Sequence, residues 1–146
     1  MPLTSQPLVG ARPSVLGALT AFSAICFAGA FLTDFVYWRS MSVTWETFSV
    51  WLIAAGLVIA GFAVLAGIAA LIRGRHRGAA PMRWLRVSSG AIVIALSLVN
   101  AFVHSRDAYT AVVPDGLVLS AIVFVIMLVT AVVLLTMQRQ RSGEIV

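Results

Sequence analysis

Few side chains in this sequence can do acid–base, metal or redox chemistry, and most of them gather in two stretches. Asp34, Tyr37, Trp38, Arg39, Trp45, Glu46 and Trp51 form the first; Asn100, His104, Arg106, Asp107 and Tyr109 form the second. Asn100 and His104 are four positions apart, and His104 and Asp107 are three apart. Side chains at those spacings touch on a helix. An ionisable group within apolar sequence is costly and is usually paired. Asp34 meeting His104 or Arg106 would make a polar staple between two distant parts of the chain. Alternatively, Asp34, Tyr37, Asn100, His104, Arg106 and Asp107 would line a pocket for a quinone, a metal or a proton. The Trp and Tyr residues also suit the anchoring of helices at the headgroup level.

Several other chemistries lack their parts. A membrane-bound haem needs axial ligands, often two His; His76 and His104 fall in different regions of the chain. His104 with Asp34 and Asp107 is a weak metal pattern. Cys26 is the single cysteine, so no internal disulfide forms, and in an apolar run it reads as a small apolar residue. There is no phosphate loop, no HExxH and no nucleophile–base constellation. No catalytic residue, cofactor or metal is assigned, and a non-enzyme is expected.

The elements that must position these residues follow from composition. The chain has 146 residues, of which 61% are apolar and 10% charged, with mean hydropathy +1.03. A soluble domain is about 45–50% apolar and about 25% charged. Such a chain could not cover its apolar surface in water. Four long apolar stretches stand out, and a membrane-spanning helix needs roughly 20 such residues. Continuous apolarity argues against a transmembrane β-barrel, which alternates. The expected fold is all-α: a polytopic membrane protein of four transmembrane helices, arranged as two hairpins in a compact bundle. The spans are placed at about 14–37, 48–72, 84–105 and 117–137, in one domain over 1–146. Gly17, Ala21, Ala24 and Ala28 in span 1, and Gly56, Ala60, Ala63, Gly67 and Ala70 in span 2, make smooth stripes suited to close helix packing. Gly90, Ser97, Asn100 and His104 share one face of span 3. Val113-Pro114-Asp115-Gly116 reads as a turn into span 4, with Asp115 placed to cap it. Ser120, Thr130 and Thr136 are expected to bond back to their own helix.

Charge sets the orientation. All ten basic residues are Arg, against five acids, for a net charge of +5. Arg12, Arg73, Arg75, Arg77, Arg83, Arg86, Arg139 and Arg141 fall on one side of the expected membrane, and Arg39 and Arg106 on the other. The positive-inside rule puts both termini and the middle loop in the cytoplasm, so the polar stretches face outward. Arg73, Arg75, Arg77, Arg83 and Arg86 suit contact with anionic lipid headgroups. Nucleic acid is not an expected partner, because no folded domain presents the charge. Arg12, the run Val15 to Phe27 and Ala28-Gly29-Ala30 would also suit a cleaved signal peptide. The run continues through Phe31-Leu32 into Asp34, as a retained span does.

Some short elements carry a family likeness. Thr33-Asp34-Phe35-Val36-Tyr37-Trp38 closes span 1, and Trp51-Leu52 with Gly56, Gly61 and Gly67 runs along span 2. Leu98-Val99-Asn100 leads to Arg106-Asp107, and Gly116-Leu117-Val118-Leu119-Ser120 opens span 4. Over about residues 14–130 the chain resembles bacterial four-helix membrane proteins, domain of unknown function 2231. Many members carry a His-Pro start to span 1 and a late His. Here those places read Ala11-Arg12-Pro13-Ser14 and Met137-Gln138-Arg139-Gln140-Arg141. The resemblance implies a four-helix fold in the inner membrane and supplies no activity. The residues and the likeness together point to an accessory or scaffold subunit. The alternative is a redox or ligand-binding subunit for quinone, metal or haem with an outward-facing polar site.

Overall fold

The computed structural model describes residues 14–74, 80–106 and 112–143. They form four long helices: α1 (Val15–Ser40), α2 (Val43–Ile72), α3 (Ala80–Arg106) and α4 (Leu117–Gly143). Each is long and apolar enough to cross a membrane. The helices exceed the expected spans at most ends, because a helix can continue beyond the hydrocarbon into the polar interface. Trp45 and Glu46 therefore lie in the first turns of α2, not in a loop. The tail before Ser14, the loop residues Arg75 and Arg77, and Asp107 and Tyr109 lie outside the described residues.

Local chemistry sets the ends. The Ser14 hydroxyl accepts from the Gly17 amide at 3.1 Å, capping α1. Met41 closes α1 in the left-handed region at φ 52°, its amide donating to the Tyr37 carbonyl at 2.7 Å. Only Met41 and Ser42 separate α1 from α2, so the first hairpin turns tightly. Pro81 sits in the first turn of α3, where a missing amide proton is tolerated. Between α3 and α4, Val113 is extended at φ −125°, ψ 119° ahead of Pro114. The expected turn is there, but Asp115 makes no capping hydrogen bond among the described residues.

The helices run alternately up and down, each packed on two neighbours, with α1 and α2 in the longest contact. Buried positions recur at spacings of three and four. In α1 they are Ser23, Phe27, Ala30, Asp34 and Tyr37; in α2, Glu46, Ser49, Ile53, Gly56, Ala60 and Ala63. In α3 the upper seam is Val93, Ser97, Asn100 and His104. That seven-residue repeat is the seam of a left-handed bundle. Phe27, Val93 and Val123 form the apolar core, flanked by Leu57, Leu96, Ile126 and Met127. The outer faces carry exposed apolar side chains such as Phe22, Trp51 and Leu128, as a lipid-facing surface requires.

The stripe expected on α1 is not the buried one. Gly17 and Ala21 are exposed, and Ala24 and Ala28 are half-buried toward α4. An acid inside the apolar span must face inward, and stepping back from Asp34 by three and four gives Ala30, Phe27 and Ser23. The stripe on α2 does pack: the Phe27 ring lies so close to Gly56 that a Cβ there would stand 2.7 Å from it.

Candidate functional site

The four helices bring their polar residues together near one end of the bundle. Asp34 lies in the last third of α1, His104 in the last turn of α3, and Ser120 in the first turn of α4. His104 Nε2 meets Asp34 Oδ1 at 3.2 Å, joining the first hairpin to the second. His104 Nδ1 donates to the Asn100 carbonyl at 3.0 Å. Asn100 Nδ2 donates to Ser120 Oγ at 2.9 Å. Ser120 Oγ lies within hydrogen-bond reach of both Asp34 Oδ2 and the Gly116 carbonyl. Its single proton can serve only one of them at a time. Asp34 is 0% exposed and His104 3%.

Hydrogen-bond chemistry fixes the charge of this pair. A backbone carbonyl only accepts, so Nδ1 of His104 carries a proton. The contact with Asp34 needs one more, on the ring or on the carboxyl. Either way the Asp34–His104 pair is electrically neutral, which suits a group shielded from water.

Gly116 makes the geometry possible. A Cβ at Gly116 would lie 2.7 Å from His104 Cε1 and 3.3 Å from Nδ1. The imidazole therefore packs, Cε1 foremost, against the backbone that opens α4. One turn deeper, Phe31 and Phe124 stack with centroids 5.1 Å apart. They bridge α1 and α4 alongside the Asp34–Ser120 contact.

Ser120, His104 and Asp34 have the residue types of a hydrolytic triad but not its wiring. In that triad the serine bonds the imidazole and the acid bonds the far ring nitrogen. Here Asp34 stands between Ser120 and His104, and the far nitrogen is held by a backbone carbonyl. The serine's proton is placed toward the Asp34 carboxylate and its own helix carbonyl, not toward an imidazole.

The remaining expected residues are placed differently. Tyr37 is buried on the same face of α1, one turn beyond Asp34. Arg106 is exposed at the end of α3, and the acid meets His104. Glu46 is buried at the start of α2, close enough for the charges of His104 and Asp34 to act on it. Its carboxylate makes no hydrogen bond among the described residues. No group of three or more His, Cys, Asp and Glu among the described residues could hold a metal ion. At the other end of the bundle, Arg73, Arg86 and Arg139 are exposed and Arg83 is half-buried.

Sequence reasoning missed Ser120 and Gly116 as parts of this cluster. Ser120 reads as a hydroxyl satisfied by its own helix, and the Gly116 carbonyl does lie 2.9 Å away. The interhelical bonds of Ser23 to the Gly56 carbonyl at 2.9 Å, and of Ser49 toward the Ala30 carbonyl at 3.5 Å, were equally silent in the sequence.

The chain matches the family described as "Predicted membrane protein (DUF2231)" over residues 18–137. No curated protein and no solved structure matches it.

Proposed function

Because the chain belongs to the DUF2231 family of predicted membrane proteins, we propose that it is a non-enzymatic accessory or scaffold subunit of a bacterial inner membrane. One observation carries this reading: the groups able to bind a ligand are bound to one another and shut away from solvent. Asp34, Asn100, His104 and Ser120 are all buried and linked across three helices. Such a centre fixes the rotation and register of the helices. The outer faces are thereby held in position to meet another membrane protein or a second copy.

The two ends of the bundle support an orientation. Arg73, Arg83, Arg86 and Arg139 lie at one end, which faces the cytoplasm and its anionic headgroups. The Asp34–His104 end faces outward. Both termini are then cytoplasmic. The alternative, a quinone, metal or haem site, is favoured by one residue alone, Glu46, whose carboxylate makes no hydrogen bond among the described residues.

Native mass spectrometry on protein gently extracted from its own membrane tests both readings. A companion protein, or a discrete homo-oligomer, supports the scaffold. A bound quinone, metal or haem that His104→Ala loses supports the ligand site instead. A bare monomer carrying lipid only overturns the scaffold reading.

A further inference from the structure

Hydroxyl groups inside these helices follow a pattern. Thr20, Thr33, Thr47 and Ser88 each donate to a carbonyl of their own helix. Ser23 and Ser49 reach across to a neighbouring helix. Ser97 does neither. It is 2% exposed, and its hydroxyl takes part in no hydrogen bond among the described residues. One turn further along the same seam of α3, Asn100 Oδ1 is fully buried and, among the described residues, without a hydrogen-bond partner. An uncompensated polar atom in such a place is costly.

The two groups are complementary. Ser97 has a proton to give and Asn100 Oδ1 has lone pairs to fill. They lie three positions apart on one helix face, where Cβ atoms are about 5–6 Å apart. No direct hydrogen bond joins them. A molecule between them must both accept and donate, and must be small enough for a seam closed by Val93 and Val123.

We infer that Ser97 and Asn100 hold one internal water molecule. It accepts from the Ser97 hydroxyl and donates to Asn100 Oδ1. Its second proton goes to a helix carbonyl. Buried waters of this kind make about three hydrogen bonds to otherwise unsatisfied groups. The polar network then runs from Ser97 through the water to Asn100, Ser120, Asp34 and His104. It extends the tie one turn deeper, to the edge of the apolar core. This inference is independent of what the outer faces bind.

The test is a crystal structure from a lipid mesophase at a resolution that shows ordered solvent, joined to water–amide NOE measurements in bicelles. A single solvent peak is expected about 2.7–3.2 Å from both Asn100 Oδ1 and Ser97 Oγ. A long-lived water is expected to cross-relax with the Asn100 side-chain amide protons. Ser97→Val fills that space with methyl groups and should abolish both signals while the Asn100–Ser120 bond remains. The wild-type measurements decide the matter even if this variant does not fold. A Ser97 hydroxyl bonded directly to Asn100 or to its own helix overturns the inference. So does an Asn100 amide rotated to put Oδ1 on Ser120, a peak too large for water, or the absence of any water–Asn100 NOE.

Discussion

Gly116→Ala offers the sharpest test of the polar tie, because it adds one methyl group and nothing else. Gly116 does not occupy the left-handed region, so alanine meets no backbone strain there. The difficulty is space. The new Cβ would stand 2.7 Å from His104 Cε1, 3.3 Å from Nδ1 and 3.4 Å from Nε2. Carbon atoms rest at about 3.5–4.0 Å, so the ring or the backbone must retreat by about 1 Å. His104 is held on both sides, at 3.0 Å by the Asn100 carbonyl and at 3.2 Å by Asp34. A retreat of that size takes at least one bond beyond useful length. Losing it costs about 1–3 kcal/mol, and overpacking adds a similar amount. The expected net loss is about 2–6 kcal/mol, read as unfolding of the purified protein in bicelles by steric trapping. Gly61→Ala is the control. A Cβ there meets nothing within 4 Å, so this change should be neutral or stabilise by up to about 1 kcal/mol. His104→Ala opens the space, so Gly116→Ala should cost almost nothing in that background. A wild-type-like Gly116→Ala, or equal losses with and without His104, would refute the packing of the imidazole on Gly116.

Three further outcomes follow from the same geometry. His104→Leu leaves Asp34 buried without its counterpart and should lose about 3–5 kcal/mol; Asp34→Leu combined with His104→Leu should recover most of that, as replaced buried pairs do. A double variant as unstable as the single one, by the same assay, would mean that the pair is not the tie. Gly56→Ala places a Cβ 2.7 Å and 2.9 Å from the Phe27 ring; it should cost about 1–3 kcal/mol, and Phe27→Leu should relieve it. Met41→Gly removes a left-handed strain of about 1–2 kcal/mol against a smaller entropic loss of about 0.5–1 kcal/mol, so thermal unfolding should shift upward slightly or not at all, never downward by several degrees.

The four helices were legible because bilayer thickness and apolar length are directly linked. Long uncharged runs bounded by Arg or turn residues leave little choice. Their rotation was less legible. The small residues of α1 suggested one packing face, while the acid at Asp34 dictated another, and burial of the acid prevailed. Asp34 and His104 stood out because ionisable groups are rare in apolar sequence. Their contact joins positions 70 residues apart, and no local spacing encodes such a meeting. Ser120 was hidden for a different reason: a serine in a helix always has a carbonyl of its own within reach. Glu46 fell outside the expected second span because apolarity alone marks where hydrocarbon begins, not where the helix does. Asp107 lies outside the described residues.

The separation between Asp34 and its partners bears on how the protein is made. The ribosome completes α1 and α2 as a hairpin with a two-residue turn before any part of α3 exists. Ser23 and Ser49 then already have their interhelical carbonyls, because both belong to that hairpin. Asp34 does not: His104 and Ser120 arrive with the second hairpin. An acid at the centre of an inserted helix costs about 2.5–3.5 kcal/mol, and Asp34 lies near one end, where leaving the hydrocarbon takes little movement. Asp34 therefore gains its buried partners only when the second hairpin docks. Formation of the polar tie is thus coupled to synthesis of the last helix, and a chain truncated before it would leave Asp34 without these partners.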